Sequence, residues 1–414
     1  MITVKPFYAL RPTKEKASLC AALPYDVMSS DEAREMVKDN PFSFLHIDKA
    51  EIDLDKSVDI YDQRVYDKAR ETLCHFENEG VYVNDPQKKF YLYRQVMDGR
   101  GQTGIVGCPC IDDYLENRIK KHEFTRADKE VDRIKHVDIC SAHTGPIFLA
   151  YKDSLVLDEI IEKETQGAPL YDFVAEDGVR HTVWETSSRE VDQLIEKSFA
   201  DLDALYIADG HHRCASAVKV GVKRREEAGE YTGDEEYNFF LSVIFPSKAL
   251  AIMDYNRLLK DLNGYSTEEF LSLVDEKVGH VSLFEGGEPY KPERKHTVGI
   301  FVDGKWYKVE LYPEICNEEK AVDRLDCAII QKNLLSAILG ISDPRSDKRI
   351  DFAGGIRGLN YLEQRCQEDM KMAISMYPTS LDDLMAVADN GDVMPPKSTW
   401  FEPKLRSGLL IHKI

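Results

Sequence analysis

The sequence predicts a mixed α/β (α+β) fold, because short apolar runs of strand length alternate with longer amphipathic runs of helix length. Residues 204–208 are Ala-Leu-Tyr-Ile-Ala, which is typical of a buried strand, and a helical pattern follows over 211–228. Residues 55–80 carry a polar amphipathic pattern of helical period, and strand patterns occupy 89–96 and 104–110. This alternation predicts sheets packed against helices.

The same patterns predict how the chain divides into structural units. A chain of 414 residues is too long for one simple core, so we expect two or three units. We assign residues 1–256 to a core, 257–345 to an accessory α/β lobe, and 346–414 to a C-terminal segment that returns to the core. A helical pattern at 266–277 and a hairpin signal at 302–305 support the accessory lobe.

A glycine-rich segment lies between two of the predicted strands. Residues 99–104 are Gly-Arg-Gly-Gln-Thr-Gly and match the pattern G-x-G-x-x-G. The dinucleotide-binding form of that pattern requires a helix after its glycines, whereas the strand pattern Ile105-Val106-Gly107 follows here. We therefore predict a hairpin turn rather than a cofactor loop.

The charge balance limits the classes of ligand that the protein is expected to bind. The chain carries 54 Lys and Arg against 74 Asp and Glu, which gives a net charge of -20. Because nucleic-acid binding depends on cations that neutralise phosphates, we expect no nucleic-acid partner and favour a small-molecule ligand. An anionic ligand would need cations concentrated locally, which makes clusters of Lys, Arg and His informative.

Cysteine usage and hydropathy predict a cytoplasmic protein with no membrane partner. Nine cysteines occur without a C-x-x-C pair, which fits reduced thiols better than disulfides or a zinc site. The first residues contain no apolar run of signal-peptide length, and the most apolar later run, 239–244, is far too short to cross a bilayer.

The strongest candidate site is Asp209-Gly210-His211-His212-Arg213, between the predicted strand and its helix. A helix N-terminus offers unpaired N–H groups and a positive dipole end, so an anion such as phosphate can bind there, and Gly210 leaves room for it. His211 and Arg213 add donors, while Asp209 is suited to bind Mg²⁺ or to accept a proton. The alternative is an aspartate that caps the helix beside exposed histidines, but the density of donors directly after a buried strand favours function.

A second charged segment covers residues 120–133. It contains His122, Glu123, Thr125 and Arg133, which are side-chain types that bind or deprotonate substrates. A solvated helix face would give a similar run of charges, so local spacing leaves the two interpretations open. We predict that this segment lines the same cleft as the Asp-Gly-His-His-Arg element.

A third candidate is the loop over residues 394–408. Its three prolines stiffen it, which reduces the entropy lost when it binds a ligand. The side chains expected to bind phosphate are Lys397, Ser398, Thr399 and Lys404. The glycines of a P-loop are missing, which excludes a Walker ATPase. We predict that this loop folds back onto the helix that begins at His211.

Together these segments resemble a widespread prokaryotic family known only as domain of unknown function 1015. The matching motifs, in the order of the family, are Pro24-Tyr25-Asp26-Val27, Lys121-His122-Glu123-Phe124-Thr125, Asp132-Arg133, Asp209-Gly210-His211-His212-Arg213, Tyr255-Asn256-Arg257, Lys397-Ser398-Thr399 and Phe401-Glu402-Pro403-Lys404. The family also resembles the ParB and sulfiredoxin group in its arrangement of strand, glycine, arginine and helix. That resemblance implies a ParB/sulfiredoxin-like catalytic core, with insertions, within residues 1–256.

The Asp-Gly-His-His-Arg element is similar to that of free-serine kinases. The resemblance implies a phosphotransferase that phosphorylates the hydroxyl of free L-serine to O-phosphoserine. Mg²⁺ is the expected cofactor, and pyrophosphate is an expected donor beside ADP and ATP. An amino acid and a phosphate donor would then be the small-molecule partners.

Roles for the candidate residues follow from this resemblance and from their chemistry. We expect Gly210, His211 and Arg213 to bind the donor phosphates together with the helix N-terminus. Asp209 would hold Mg²⁺ or act as the base, with Glu123 as a rival base, and His212 would contact serine or its product phosphate. The substrate-binding residues are expected to be Asp26, His122, Thr125 and Arg133.

Two other functions would use the same anion site. A ParB-like nucleotide-binding regulatory protein would also grip DNA, and the net charge of -20 and the lack of a helix-turn-helix with a basic face argue against it. A phosphatase would use water as the nucleophile in place of serine.

Overall fold

The computed structural model describes residues 1–125 and 127–414, with the side chain of Asp128 left out. The chain forms two units. Met1–Leu250 and Pro403–Ile414 make up the first unit, and Ala251–Glu402 makes up the second.

The strands in the described part of the chain are short and belong to four sheets. They are β1 (Val4–Lys5), β2 (Ala9–Pro12), β3 (Tyr82–Asn84), β4 (Tyr91–Met97), β5 (Arg100–Pro109), β6 (Ile119–Lys120), β7 (Ala142–His143), β8 (Ile147–Tyr151), β9 (Tyr171–Val174), β10 (Arg180–Glu185), β11 (Leu205–Asp209), β12 (Ser242–Pro246), β13 (Ile252–Met253), β14 (Tyr255–Leu259), β15 (Gly279–Leu283), β16 (Thr297–Val302), β17 (Lys305–Leu311), β18 (Ile350–Gly354), β19 (Met372–Ser375), β20 (Trp400–Phe401) and β21 (Ile411–Lys413).

The helices lie between the strands along the chain. They are α1 (Ala17–Cys20), α2 (Ser30–Val37), α3 (Leu45–Asp48), α4 (Gln63–Asn78), α5 (Ile111–Leu115), α6 (Ala127–Cys140), α7 (Leu155–Glu164), α8 (Arg189–Ala200), α9 (His211–Ala228), α10 (Thr267–Lys277), α11 (Pro313–Cys316), α12 (Asp326–Ile330), α13 (Leu359–Glu368) and α14 (Leu381–Asp389). No helix in the described part of the chain is both long enough and apolar enough to cross a bilayer.

The first unit is built on a large mixed sheet in the order β6-β11-β8-β12-β5-β4-β10-β9, with β1 paired to β5. β11 is parallel to β6 and antiparallel to β8, with Leu205 facing Tyr151. Leu205 and Ile207 of β11 are fully buried and belong to the same apolar core as Cys214 and Val218 of α9. The apolar strand and the inward face of α9 therefore fix the turn between them.

A smaller sheet of the first unit has the order β3-β2-β21-β7. Its strand β21 comes from the C-terminal segment and lies between two strands of the N-terminal part. In this register His412 of β21 is opposite both Ala9 of β2 and His143 of β7. The end of the chain is thus part of the first unit.

The second unit contains an antiparallel sheet in the order β15-β17-β16-β19-β14-β18. Leu258, Phe301, Ala373 and Leu362 form part of its core, and the last of these belongs to α13. The apolar sheet face and the apolar side of α13 give this unit its own interior.

The mixed α/β class predicted from sequence is confirmed, and the observed units differ from the predicted ones after residue 345. The first predicted boundary, at 256, lies close to the observed division after Leu250. Residues 346–402 belong to the second unit, because β18 and β19 pair with β14 inside its sheet. The part of the predicted C-terminal segment that joins the first unit is Pro403–Ile414.

Two local predictions, one of a turn and one of a helix, differ from the structure only in their bounds. The hairpin predicted at 99–104 is present, but its turn lies at Asp98-Gly99, where φ is positive (51° and 78°), and residues 100–104 already belong to β5, with Met97 of β4 opposite Arg100. The helix predicted over 55–80 begins later, at Gln63, because the Asp62 side chain accepts a hydrogen bond from the Arg64 amide and caps it there.

Candidate active site

The turn between β11 and α9 carries the Asp-Gly-His-His-Arg element. Gly210 has φ 89° and ψ 32°, a left-handed conformation that glycine adopts readily. A Cβ atom at this position would lie 3.1–3.2 Å from the guanidinium group of Arg213. Glycine therefore permits both the sharp turn and the return of Arg213 over it.

Asp209 ends β11 with an ionised carboxylate. Its Oδ1 accepts a hydrogen bond of 2.9 Å from the Gly210 amide, and its Oδ2 lies 3.3 Å from Nζ of Lys404. Desolvation favours the neutral acid, but the charges of Lys404 and Arg213 outweigh it and hold the pKa of Asp209 below its usual value. With 34% of its side chain exposed, Asp209 is suited to contact a cation.

Arg213 lies in the first turn of α9. Its guanidinium donates a hydrogen bond to the carbonyl of Pro146. Its buried Nε has no hydrogen-bond partner among the described residues. A buried guanidinium nitrogen without a partner is a donor available to an anion.

His211 and His122 form a buried pair of imidazoles. Their ring centroids lie 4.5 Å apart in an edge-to-face arrangement, and His211 Nε2 is 3.5 Å from the backbone amide of His122. Burial lowers the pKa of His122 to about 4 and lowers the pKa of His211 well below its ordinary value. Both rings are therefore neutral at neutral pH, and the expected role of His211 toward phosphate stays a prediction.

The segment predicted to line the same cleft does lie beside His211. Oε2 of Glu123 is 3.9 Å from Nδ1 of His211, and 46% of the Glu123 side chain is exposed. The Thr125 hydroxyl donates a hydrogen bond of 2.9 Å to Glu130 at the start of α6. His212 is half-buried in the first turn of α9.

Arg133 and Asp132 lie on α6, which packs against α9. The Arg133 guanidinium sits 4.0 Å from the ring centre of Tyr25, and its Nε donates a 2.8 Å hydrogen bond to Asp132. Burial raises the pKa of Tyr25, while the charges of Arg133 and Arg213 oppose that rise. The Tyr25-Asp26 loop and the two arginines thus converge in space.

Two adjoining cavities occupy this region. The larger has a volume of about 330 Å³, and the smaller has a volume of about 20 Å³. Both are lined by Tyr25, Asp48, Arg133 and His136. Asp26 lines only the larger cavity and Arg213 only the smaller one. A polar pocket of small-molecule size therefore adjoins the small cavity that Arg213 lines.

Several polar residues of these cavities were missed by sequence reasoning. They are Asp48, Lys49, Glu51, Tyr61, Tyr66, His136, His143 and Thr144. Asp48, for example, is buried, accepts a 2.7 Å hydrogen bond from Thr144 and lies 3.5 Å from His136. Burial opposes its ionisation, yet His136 and Thr144 hold its pKa below the usual value. These residues belong to no local motif, so no spacing signal could have found them.

The loop predicted to bind phosphate is divided between the two units. Lys404 belongs to the first unit, and its Nζ lies 3.3 Å from Oδ2 of Asp209. Lys397, Ser398 and Thr399 belong to the second unit. There the buried Ser398 hydroxyl donates a 2.6 Å hydrogen bond to the carbonyl of Pro395, an internal contact of the loop.

Asp209 also fits the role of a magnesium ligand. The residues described by the structure contain no cluster of three or more His, Cys, Asp or Glu side chains arranged to hold a metal ion. Mg²⁺ at phosphate sites needs only one or two carboxylates, because substrate phosphates and waters supply the other ligands. The ionised, partly exposed carboxylate of Asp209 meets that requirement.

Fold and site together define an α/β protein with a candidate anion site at a strand-to-helix turn, beside a polar pocket. Residues 4–328 match the family described as Protein of unknown function (DUF1015), and the chain belongs to that family. No curated protein matches the chain.

Several solved structures are distantly similar to the chain. A free serine kinase in complex with AMP shares 15% identity over 78% of this chain and 93% of that one, with a TM-score of 0.35. SbnI with a C-terminal truncation, from Staphylococcus aureus, shares 10% identity over 74% and 87% of the two chains, with a TM-score of 0.39. A conserved hypothetical protein from Pyrococcus furiosus shares 13% identity over 71% and 91%, with a TM-score of 0.35. At this distance the likeness assigns no role to any residue.

Proposed function

We propose that this protein is a phosphotransferase that moves a phosphoryl group to the hydroxyl of a small acceptor, free L-serine, to give O-phosphoserine. The observation that carries the proposal is the position of Arg213. It lies in the first turn of the helix after Asp209, keeps a buried nitrogen without a partner among the described residues, and lines a cavity that adjoins a 330 Å³ polar pocket. Phosphoryl transfer mainly requires positioning and charge neutralisation, which such an arrangement supplies.

The donor phosphates would bind at the start of α9. Arg213 and Lys404 provide two cations beside the helix N-terminus, whose free N–H groups and dipole favour an anion. Gly210 keeps side-chain bulk away from this point. Both pyrophosphate and the terminal phosphates of a nucleotide offer the charge that these groups would neutralise.

The acceptor would bind in the larger cavity. Asp26 and Arg133 line it and present one charge of each sign, which suits an amino acid that carries both an ammonium and a carboxylate group. A volume of about 330 Å³ is ample for serine.

Mg²⁺, when bound, would neutralise charge on the donor phosphates and on the transferred phosphoryl group. Asp209 is the carboxylate that would hold it, because Asp209 is ionised and partly exposed.

Phosphorus NMR of the purified protein tests this function. Wild-type protein with Mg²⁺ and serine is mixed in turn with pyrophosphate, ADP and ATP. We expect a signal of O-phosphoserine with at least one donor and no such signal without serine. Release of phosphate at the same rate with and without serine would instead indicate a phosphatase.

Asp209→Asn tests the assignment of the metal. We expect both a lower rate and a weaker dependence on Mg²⁺ concentration, because the amide is a poorer ligand than the carboxylate. An unchanged Mg²⁺ dependence would contradict the role of Asp209. Thermal unfolding of the variant separates this effect from a loss of fold.

A further inference from the structure

Three side chains form a continuous hydrogen-bonded chain in the first unit. The pairing of β7 with β21 brings His143 opposite His412, and their Nδ1 atoms lie 3.2 Å apart. Nε2 of His412 lies 2.8 Å from Oε2 of Glu236. Both rings are buried, with exposed fractions of 5% for His143 and 1% for His412. Their orientations are therefore fixed by the sheet and by these contacts.

The contacts dictate which ring nitrogens carry protons. Burial opposes ionisation of Glu236, but His412 and Lys88 hold its pKa below the ordinary value, so the carboxylate accepts a hydrogen bond from His412 Nε2–H. A neutral His412 then has a bare Nδ1, which must accept a hydrogen bond from Nδ1–H of His143. Nε2 of His143 is consequently the unprotonated nitrogen and carries a free lone pair.

His143 is also a lining residue of the small cavity of the candidate site. Nε2 of His143 is buried and has no hydrogen-bond partner among the described residues. His143 lines the 20 Å³ cavity together with Arg213. This volume is enough for one water molecule, and polar groups surround it. A water here would connect His143 to the adjoining 330 Å³ pocket.

The opposite end of this hydrogen-bonded series, at Glu236, reaches the surface. Glu236 has 32% of its side chain exposed, and it pairs with Lys88. Both residues line a separate cavity of about 250 Å³. The three side chains thus connect the interior of the candidate site with a second opening of the first unit.

We propose that His143, His412 and Glu236 form a proton relay that receives the proton of the acceptor hydroxyl through one water molecule during phosphoryl transfer. This proposal rests on the proposed function, because that function identifies the acceptor hydroxyl. His143 is a positioning and relay residue, since it acts through the water.

The atoms balance over the reaction. The acceptor oxygen bonds to phosphorus as the bond from phosphorus to the leaving phosphate breaks. The hydroxyl proton passes to the water, which gives a proton to Nε2 of His143. The Nδ1 proton of His143 moves to His412, whose Nε2 proton moves to Glu236. When the leaving phosphate departs as the stronger base, the transfers reverse and the proton ends on that phosphate.

Burial favours the neutral form of both imidazoles of the relay. Burial lowers the pKa of His143 well below its ordinary value, and His412 and Arg224 add to this effect. Burial also lowers the pKa of His412, although Glu236 opposes the change. The charged and titratable groups that face the relay are Lys88, Arg224 and Glu236 on the outer side and Asp48, Arg133, His136 and Arg213 at the inner cavity.

His143→Asn tests the relay directly. The asparagine amide can still donate a hydrogen bond to His412, but nothing replaces the lone pair of Nε2. We expect kcat to fall roughly 10²- to 10⁴-fold, as for loss of a base, with the KM values for serine and donor within about threefold. His280→Asn, at an exposed histidine of the second unit, is the matched control and should keep full activity. An unchanged kcat in His143→Asn would overturn the relay.

Glu236→Gln supplies a readout that a purely structural role would not change. The glutamine oxygen can still accept the hydrogen bond from His412, but the negative charge is lost. The protonated relay is then less stable, so its apparent pKa falls and the acid limb of the kcat profile moves to lower pH. A limb at the wild-type position would overturn the proposal. This variant also serves where His143→Asn fails to fold.

The relay and the proposed function fail in different ways. Wild-type protein that transfers phosphate to no hydroxyl contradicts the proposed function, and ¹⁵N NMR of the histidine rings then decides the relay. We expect the neutral His143 ring to be protonated at Nδ1 and bare at Nε2, and the opposite tautomer would overturn the relay. Active wild-type protein with a fully active His143→Asn variant overturns the relay alone.

Discussion

The first unit contains two buried histidine pairs, and they are held in different ways. His122 and His211 meet edge to face, with the carboxylate of Glu123 3.9 Å from His211. His143 and His412 share a hydrogen bond, and Glu236 holds His412 at 2.8 Å. The contacts of His143 and His412 therefore allow one arrangement of the ring protons. The contacts of His122 and His211 are consistent with packing. A motif in the sequence marks the first pair, and no motif marks the second.

The difference concerns what each pair can do chemically. A base needs a free lone pair that faces the reacting group and a partner that fixes its tautomer. His143 lines the small cavity, its buried Nε2 has no partner among the described residues, and its Nδ1 is held by His412. His211 instead directs Nε2 toward the backbone amide of His122 at 3.5 Å. Proximity to a motif is thus a weaker guide to a base than the hydrogen bonds around each ring.

Arg213→Ala should have the largest effect, since Arg213 lies near both pairs. It follows His211 in α9 and lines the cavity that His143 faces. Removing one charged donor from a transition-state site costs about 2.7–4 kcal/mol, which corresponds to roughly 10²- to 10³-fold in kcat. Steady-state kinetics measure this loss of kcat, and parallel thermal unfolding shows whether the variant is folded. Arg213→Lys is the control that keeps the charge without the forked donors. Unchanged turnover in Arg213→Ala would remove the Asp-Gly-His-His-Arg element from the site.

The carboxylates beside the two histidine pairs, Glu236 and Glu123, should contribute differently to the free energy of unfolding. Glu236→Ala leaves the buried Nε2–H of His412 without its acceptor, which costs about 1–3 kcal/mol in the free energy of unfolding. Glu123→Ala removes a carboxylate that is 46% exposed and 3.9 Å from its histidine, so we expect a change within about 0.5 kcal/mol. Urea denaturation of both variants checks this. Equal losses would mean that the two pairs are held alike.

The pH dependence of stability tests the burial of the first pair. The pKa of His122 is about 4 when folded and 6.5 in its ordinary state, so the unfolded chain binds more protons between these values. This stabilising contribution is complete above about pH 6.5 and is lost as the pH falls toward about 4. His122→Gln should therefore reduce the acid slope of the free energy of unfolding by up to about 1.4 kcal/mol per pH unit. His280→Gln, at an exposed site, should leave the slope unchanged, and an equal slope in His122→Gln would contradict a neutral buried ring.

Local signals in the sequence anticipated the elements that local chemistry controls. The helix predicted over 211–228 is α9, because an apolar strand, a glycine and a long helical pattern occur in succession. A hairpin turn within 99–104 was predicted for a similar reason, since a strand pattern follows the glycines directly, and the observed turn lies at its start, at Asp98-Gly99. In both cases neighbouring residues suffice to determine the structure.

The remaining parts of the site depend on contacts between distant residues. His143 and His412 are 269 residues apart and meet only because β7 and β21 pair. Single histidines in short strands give no periodic or spacing signal. Ser398 and Lys404 show the reverse case, since one loop motif is divided between two units and the buried Ser398 hydroxyl bonds within its own loop. Nearness in sequence therefore suggested one loop, whereas the structure assigns its residues to two units.

Glu123→Gln should have the smallest effect on catalysis and decides between the two pairs. If the relay through His143 receives the hydroxyl proton, Glu123 is not needed as a base, and kcat should stay within about threefold of wild type. If Glu123 is the base beside the first pair, the same change should lower kcat roughly 10²- to 10⁴-fold while donor binding is kept. The structure favours the smaller effect, because Glu123 is 46% exposed and 3.9 Å from His211. Steady-state kinetics of Glu123→Gln and His143→Asn under the same conditions make the comparison, and a large loss in Glu123→Gln alone would assign the base to the first pair.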